Sequence, residues 1–325
     1  MYKNKKISVV VPAYNEETQI HKVIKTMPKF IDFIVITDDK STDGTVKAIQ
    51  KLQKSNPKII LLEHEINEGV GGAIASGYKW SRDNNIDIAV VMAGDAQMDP
   101  IDLPIIIDPV EENIADYSKA NRLVTEDSYN KIPKIRFFGN SALSLLTKIA
   151  SGYWNVSDSQ TGYAAINLKA LKTINWDKMY KRYGQPNDIL VRLNVEGFRV
   201  IDVPTEPVYN VGEKSGINIK KAIFTIGSLL LKLFFWRLKE KYIIRGFHPL
   251  VFFYFFGFFS ALISLVFLIR VIFLWVSYGS IPELSFLSWL FSFSLSFNSL
   301  AFAMWFDYFE NKHLSIKMEN KGRGK

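Results

Sequence analysis

Asp95 and Gln97 carry the first groups in this chain whose spacing points to chemistry. They follow an apolar run, Ile86 to Ala93, that stops at Gly94-Asp95-Ala96-Gln97. Such a run reads as a buried strand. In open α/β sheets, ligands bind just outside the carboxyl ends of strands. A carboxylate and an amide oxygen at that rim suit a hard divalent cation, and Mg²⁺ commonly shares its shell with substrate phosphates. The same residues have a plainer reading, a strand-ending Asp in a polar turn, with Asp99-Pro100 opening the next helix. Further polar groups follow other apolar runs: Tyr14, Asn15 and Glu16 after Ile7 to Ala13, and Asp38 and Asp39 after Phe33 to Thr37.

These groups need regular elements to hold them. Ile7-Ser-Val-Val-Val is the continuous β-branched run expected of a parallel strand buried on both faces. Asn15 is placed to cap a helix beginning with Glu16 and Glu17. Ile20, Val23, Ile24 and Met27 then recur as one apolar helical face. Phe33 to Thr37 is the second strand, and Ser41-Thr42-Asp43-Gly44-Thr45 opens a helix with Val46, Ile49 and Leu52 inward. Ile59 to Leu62 is the third strand. A Gly-rich turn and a helix through Trp80 lead to the strand that ends at Asp95. Strands alternating with helices at this spacing imply a parallel α/β sheet. Right-handed crossovers place the strand ends on one rim, so the three polar tips face a common crevice. The run Gly69 to Gly77 follows the third strand and lacks Gly-x-Gly-x-x-Gly spacing, which argues against a nicotinamide or flavin site. A glycine turn around Gly71 that lets a nucleotide or sugar approach backbone fits better.

Composition narrows the field. The 325 residues suffice for one large or two modest domains. Cysteine is absent, which excludes disulfides and thiol chemistry. The net charge of +8 does not mark a nucleic-acid binder, because no helix-turn-helix, zinc-finger or RNA-binding signature accompanies it. The short apolar run near the start is broken at Pro12 and reads as a strand, not a secretory signal.

Four motifs in series carry a resemblance. Ile7-Ser-Val-Val-Val-Pro-Ala-Tyr-Asn-Glu-Glu, Asp38-Asp-Lys-Ser-Thr-Asp-Gly-Thr, Asn67-Glu-Gly-Val-Gly-Gly-Ala and Gly94-Asp-Ala-Gln resemble glycosyltransferase family 2 in order and spacing, over roughly residues 5 to 210. The resemblance implies a GT-A (Rossmann-like) fold, a nucleotide-sugar donor and a divalent metal, Mg²⁺ or Mn²⁺. It implies that Pro12, Tyr14 and Glu16 line the nucleotide pocket, that Asp39 contacts the base, and that Asp95 and Gln97 serve metal and diphosphate. Ala93 departs from the pattern, since many relatives carry an aspartate there. Tyr14 also fits a core aromatic, and Asp43 a helix cap.

Later segments resemble the acceptor side of that family: Ala115 to Arg122, Ser157-Asp-Ser-Gln-Thr-Gly-Tyr163, and Gln185-Pro-Asn-Asp188. Arg122 matches phosphate oxygens with its planar fork and also fits a plain surface arginine. The resemblance gives Asp158, Gln160 and Asp188 acceptor-side or catalytic roles. Asp188 alternatively caps a helix before Ile189 and Leu190.

Two uncharged runs follow. Pro249 to Ile269, with apolar character resuming beyond Arg270, and Leu284 to Phe306 are each long enough for a hydrocarbon core of about 30 Å. Gly257, Ser260 and Ser264 share one helical face, as do Ser285, Ser288, Ser292, Ser296 and Ser299; such faces let helices pack as a hairpin or build an oligomer. Arg270 is expected to snorkel to the interface, with Glu283 or a lipid phosphate as alternative partners. Lys220, Lys221, Lys232, Arg237, Lys239, Lys241 and Arg245 precede the first run, and Lys312, Lys317, Lys321, Arg323 and Lys325 follow the second. By the positive-inside rule both termini and the catalytic domain are cytoplasmic. Lys221, Ser228, Lys232 and Lys239 lie opposite Ile223, Ile226, Leu230 and Leu233, which suggests amphipathic helices in the membrane interface or, for part of the segment, a core-packed helix.

The expected organisation is a GT-A domain over 1–215, juxtamembrane amphipathic helices over 216–246, two transmembrane helices within 247–307 (about 249–277 and 284–306), and a basic cytoplasmic tail over 308–325. This arrangement resembles the polyprenyl-phosphate glycosyltransferases, a group that includes the dolichyl-phosphate mannose synthases. It implies an integral membrane enzyme that transfers one sugar, with inversion, from a UDP- or GDP-sugar to polyprenyl or dolichyl phosphate. Two other readings compete. A membrane polysaccharide synthase would carry Gln-x-x-Arg-Trp, which is missing after the acidic motif. A non-catalytic membrane scaffold with a degenerate transferase domain finds its support in Ala93.

Overall fold

The computed structural model describes residues 1–94, 98–123, 134–206 and 219–317, except for the side chains of 134–138, 140 and 219–223. The chain forms two compact units, Met1–Phe234 with His313–Lys325, and Phe235–Lys312.

The first unit is built on one sheet of strands β1 (Ile7–Ala13), β2 (Phe33–Asp38), β3 (Ile59–Glu63), β4 (Ile88–Val91), β5 (Tyr117–Asn121), β6 (Ala164–Asn167), β7 (Val200–Pro204) and β8 (Ser315–Ile316). Their order is β3-β2-β1-β4-β6-β5-β7-β8. Helices α1 (Ile20–Thr26), α2 (Thr45–Gln53), α3 (Val70–Asp83), α4 (Leu103–Glu111), α5 (Lys134–Ser151), α6 (Leu168–Thr173) and α7 (Gln185–Val195) connect them, and α8 (Ile219–Lys239) follows β7. Side chains alternate between the two faces of a strand, and β1 shows it. Val9 and Val11 pack with Ile20, Ile49 and Ile106 on one face. Val10 packs with Ile74, Tyr78 and Leu190 on the other. A strand covered on both sides must be apolar throughout, which explains the unbroken run that begins at Ile7.

The sheet is not wholly parallel. β1 to β4 pair in parallel, but β6 runs antiparallel to both β4 and β5. The connection from β5 therefore brings the chain back into the sheet in the opposite sense. β4 is also shorter than the apolar run around it: Ile86 and Met92 are buried but lie outside the ladder. A second difference concerns Asn15. The first helix starts at Ile20, and Asn15 adopts a left-handed backbone, φ 58°. Its side chain accepts from the backbone N–H of Thr42 at 2.8 Å instead of capping its own helix. It thus ties the loop after β1 to the loop after β2.

β8 comes from beyond the two long apolar segments. Ser315 and Ile316 pair in parallel with Val200 and Ile201 of β7. The Asn155 side chain donates to the Ser315 carbonyl at 2.7 Å. Leu314 is buried with Phe198 and Val200.

In the second unit, α9 (Leu250–Tyr278) and α10 (Glu283–Asn311) are both long and apolar enough to cross a membrane. They pack on each other through small residues. Gly257, Ser260 and Ser264 are buried, as are Ser285, Ser292, Ser296 and Ser299, while Ser288 is half-buried. A Cβ on Gly257 would meet Leu300 Cδ2 at 2.7 Å. The Ser296 hydroxyl donates to the Gly257 carbonyl at 2.9 Å. Arg270 donates through Nε to Ser285 Oγ at 3.1 Å, across the hairpin.

Arg237, counted above as part of a basic flank, is wholly buried. It forms a two-pronged ion pair with Asp307, at 2.8 and 2.9 Å, and the Tyr242 hydroxyl donates to the same carboxylate at 2.7 Å. Its charge is therefore spent inside the protein. The α8 face bearing Ile226, Leu230 and Leu233 is buried, as the core-packed alternative expects. Phe224, Leu231 and Phe235 project from the other side and are exposed.

A close approach gives a direct test of the first unit's packing. A Cβ on Gly77 would lie 2.3 Å from Val10 Cγ1, in the middle of the sheet. Gly77→Ala should destabilise the protein by about 1–3 kcal/mol through overpacking, read as a lowered midpoint in denaturant titrations followed by tryptophan fluorescence.

Candidate functional site

A cavity of 340 Å³ opens at the carboxyl ends of β1 and β2. Pro12, Tyr14, Glu16 and Asp39 all line it, as the sequence anticipates. Tyr14 is 48% exposed and so is a rim residue, not a core aromatic. The two loops that carry these residues are stitched together. Thr45 Oγ1 accepts from the Glu16 N–H at 2.8 Å, and Asp43 Oδ1 accepts from the Thr45 N–H at 3.0 Å. Asp43, one residue before the N-cap Gly44, thereby serves the first N–H of α2, and Asp38 is turned into its own loop by accepting from Ser41.

Asp39 organises the floor. Its Oδ1 accepts from the Glu68 N–H at 2.8 Å and its Oδ2 from the Gly69 N–H at 2.7 Å, and His64 Nδ1 lies 2.8 Å from Oδ1. A carboxylate has about four lone-pair positions. Three are engaged with protein, which leaves one for a ligand N–H.

Gly71 is in the wall behind the cavity instead of on its surface. A Cβ there would lie 2.2 Å from the Tyr180 carbonyl oxygen. The N–H groups of Gly71 and Gly72 donate to the Lys181 carbonyl at 3.0 and 3.2 Å. Glycine at 71 therefore seats the loop of residues 180–184 on the start of α3. Asp188 acts on that same loop. It is buried in the first turn of α7, whose N-cap is Gly184, so it is not the cap itself. One of its oxygens accepts from the Tyr180 N–H at 2.7 Å and the other from Arg192 Nε at 2.9 Å. Burial pushes its carboxyl up, against the pull of Arg192.

Among the polar lining residues, Arg182 and Tyr183 were not foreseen, whereas Asn67 opens the Asn67-Glu-Gly-Val-Gly-Gly-Ala motif. Arg182 and Tyr183 come from the loop that Gly71 and Asp188 position. Nothing in the local sequence marks them, because their relation to Asn67 exists only in the fold.

Ala93 and Gly94 line the cavity at the end of β4. Asp95 and Gln97, the expected metal residues, fall outside the described residues. The described chain reaches the cavity at Gly94, the residue before Asp95 in the sequence, and Ala93 itself offers no ligand atom. The segment beyond them is anchored on the Asp158–Tyr163 element, where the Tyr163 hydroxyl donates to the Asp99 carbonyl at 2.9 Å.

The acceptor-side residues form a second group. Arg122, at the end of β5, grips Asp158 through Nε at 2.8 Å and Nη2 at 3.2 Å. Asp158 is wholly buried, while Arg122 is 27% exposed. Burial pushes the Asp158 carboxyl up, but the Arg122 guanidinium and the Lys119 ammonium outweigh it and hold it below the usual carboxylate range. Gln160 donates its N–H to Asp158 Oδ1 at 3.3 Å and its amide to Asn187 Oδ1 at 3.0 Å. Beneath this pair, Lys119 is fully buried on β5 and donates to the Asp158 carbonyl oxygen. Asp202, its cross-strand neighbour, is pushed up to about 6 by burial. A lysine inside an otherwise buried strand was the one signal that could have exposed this layer.

Comparison with known proteins places these features. Residues 8–174 match the family model described as "Glycosyl transferase family 2". The chain is 32% identical to a UDP-N-acetylglucosamine--dolichyl-phosphate N-acetylglucosaminyltransferase of Methanococcus voltae, over 63% of this chain and 87% of that protein. It is 28% identical to an undecaprenyl-phosphate mannosyltransferase of Micrococcus luteus, over 61% of this chain and 82% of that protein. Among solved structures, glucosyl-3-phosphoglycerate synthase of Mycobacterium tuberculosis, in complex with Mn²⁺, UDP and phosphoglyceric acid, superposes with a TM-score of 0.53 at 17% identity, covering 72% of this chain and 78% of that one. That likeness concerns the fold, which is GT-A, with its antiparallel strand set into a parallel sheet.

The Arg122–Asp158 pair has a pH signature. The folded carboxyl titrates below the value of about 3.9 typical of an unfolded chain. The pair therefore contributes stability above pH 4 and loses it as pH falls further. Asp158→Asn should cost about 1–3 kcal/mol at pH 7. The gap to the unmodified protein should narrow below pH 4 in denaturant titrations, and a gap that stays constant to low pH would contradict the assignment.

Proposed function

The chain belongs to glycosyl transferase family 2, and from it we propose an enzyme that transfers one sugar from a nucleotide sugar to polyprenyl or dolichyl phosphate, with inversion. It is a glycosyltransferase, and its relatives include transferases named for dolichyl- and undecaprenyl-phosphate. The observation that carries the reading is the joining, in one chain, of a family 2 domain to two helices of membrane-crossing length. A polyprenyl tail stays in lipid while its phosphate must meet a water-soluble donor, and this architecture serves both.

The nucleotide occupies the cavity lined by Pro12, Tyr14 and Glu16, and the last free acceptor position of Asp39 faces a base N–H. A divalent cation, Mg²⁺ or Mn²⁺, would be held by Asp95 and Gln97 and would neutralise charge on the leaving diphosphate. The acceptor phosphate has a second pKa of about 6, like other phosphate monoesters, and is already nucleophilic near neutral pH. Its oxygen forms the new bond to the anomeric carbon as the bond to the diphosphate oxygen breaks, and the nucleoside diphosphate departs. No strong base is needed. Asp158, held ionised by Arg122, is a weak proton acceptor; it orients Arg122 and Gln160 towards the acceptor phosphate. Asp188 acts at one remove, by fixing the loop that walls the donor cavity.

The helices α9 and α10 form a transmembrane hairpin with the catalytic domain and both termini cytoplasmic. Two features support that orientation. Lys and Arg flank the hairpin on its chain-terminal sides, and the turn between the spans carries neither. The chain also returns after α10 to the sheet it left, as β8. The exposed Phe224, Leu231 and Phe235 of α8 are suited to the membrane interface. The small-residue faces are consumed within the hairpin, so any homo-oligomer uses other surfaces.

Purified protein given radiolabelled UDP- and GDP-sugars with polyprenyl phosphate should yield a chloroform-soluble, single-sugar lipid. A water-insoluble polymer, or no turnover with any donor, overturns the proposal. Asp95→Ala should abolish metal-dependent turnover with the thermal midpoint unchanged; full retained activity would remove Asp95 from the metal site.

A further inference from the structure

The donor cavity has an unusual charge arrangement. Ala93 supplies no carboxylate on the β4 side. A cation there has one ligand fewer to anchor it, and the diphosphate of a nucleotide sugar still needs neutralising. The cavity wall also carries a permanent cation, Arg182.

Arg182 is held in place by everything around it. Its own carbonyl accepts from the Gln185 N–H at 3.0 Å, and the preceding carbonyl, of Lys181, accepts from Gly71 and Gly72. Its side-chain stem lies flat on Gly69, where a Cβ would come within 2.7 Å of Arg182 Cδ and where φ is +91°. Only a glycine tolerates both conditions. The guanidinium then donates through Nη1 to Asn67 Oδ1 at 3.2 Å. The neighbouring Lys181 is tied to Glu68 at 3.0 Å. Among the described residues, Arg182 has no such ion pair, and its side chain is exposed on the cavity wall. An arginine fixed by its stem, with a fork that matches phosphate oxygens, is what recognition of a diphosphate requires.

We propose that Arg182 binds the diphosphate of the nucleotide sugar and supplies part of the positive charge that a cation with one carboxylate ligand fewer would otherwise have to supply alone. This rests on the donor reading above and deepens it. The consequence is nucleoside diphosphate binding that persists when divalent metal is withdrawn.

The test is calorimetric titration of the full-length protein in detergent with UDP, GDP and uridine, in Mg²⁺ and in EDTA. The unmodified protein should keep measurable diphosphate affinity in EDTA. Arg182→Gln should lower it by about tenfold, the scale of one charge-assisted hydrogen bond, with a smaller loss in Mg²⁺. Uridine, which lacks phosphate, should bind both proteins alike, and Arg182→Lys should recover part of the loss. Equal diphosphate affinity of the Gln variant and the unmodified protein in EDTA overturns the role of Arg182 alone. So does an equal loss for UDP and uridine, which would mark a structural part. An unmodified protein that binds no nucleoside diphosphate in either condition overturns the donor reading with it.

Discussion

The backbone of Gly71 lies against the carbonyl oxygens of Tyr180 and Lys181, with no room for a side chain between them. That contact joins the start of α3 to a loop more than one hundred residues later in the chain. It satisfies two of the N–H groups that a helix leaves unpaired at its first turn. Asp188 completes the junction from the other side by accepting from the Tyr180 N–H and pairing with Arg192. Remove this junction and the wall carrying Arg182 and Tyr183 has no fixed position.

The acceptor side follows a different rule, in which charges are placed under charges. Arg122 reaches towards solvent, Asp158 beneath it is sealed from water, and Lys119 beneath that contacts the Asp158 backbone. Burial of ions is costly, and a pair of this kind is weak evidence for stability. Its value lies in direction: an arginine gripped at two points presents the rest of its guanidinium along one line.

The strands around the donor crevice were legible because both of their faces are covered. Ile7-Ser-Val-Val-Val and Phe33 to Thr37 have no alternative use in a soluble domain. The small-residue faces of the membrane hairpin were legible too, since Gly257 and the buried serines recur at helical spacing. The start of α1 was misread because Asn15 has the chemistry of a cap but spends it on Thr42, a partner that only the fold supplies. The antiparallel β6 was hidden for a similar reason: Ala164 to Asn167 carries no mark of strand direction. Arg237 looked like one more basic flank residue, because Asp307 stands seventy positions away. Gly71 was recognised as necessary, but for the wrong neighbour. The residue types were readable throughout; what could not be read were partners chosen at long range.

β8 gives the catalytic sheet a history. Until Ser315 arrives, β7 is the sheet's open edge, with unpaired N–H and C=O groups of the kind that recruit other chains. Ser315 leaves the ribosome about 110 residues after Pro204, on the order of 5–20 s later at typical synthesis rates. Both apolar helices are made in that interval. The sheet is thus completed only by a chain that has already passed through α9 and α10. A nascent chain stalled before that point would carry a nearly finished transferase domain with an exposed sheet edge.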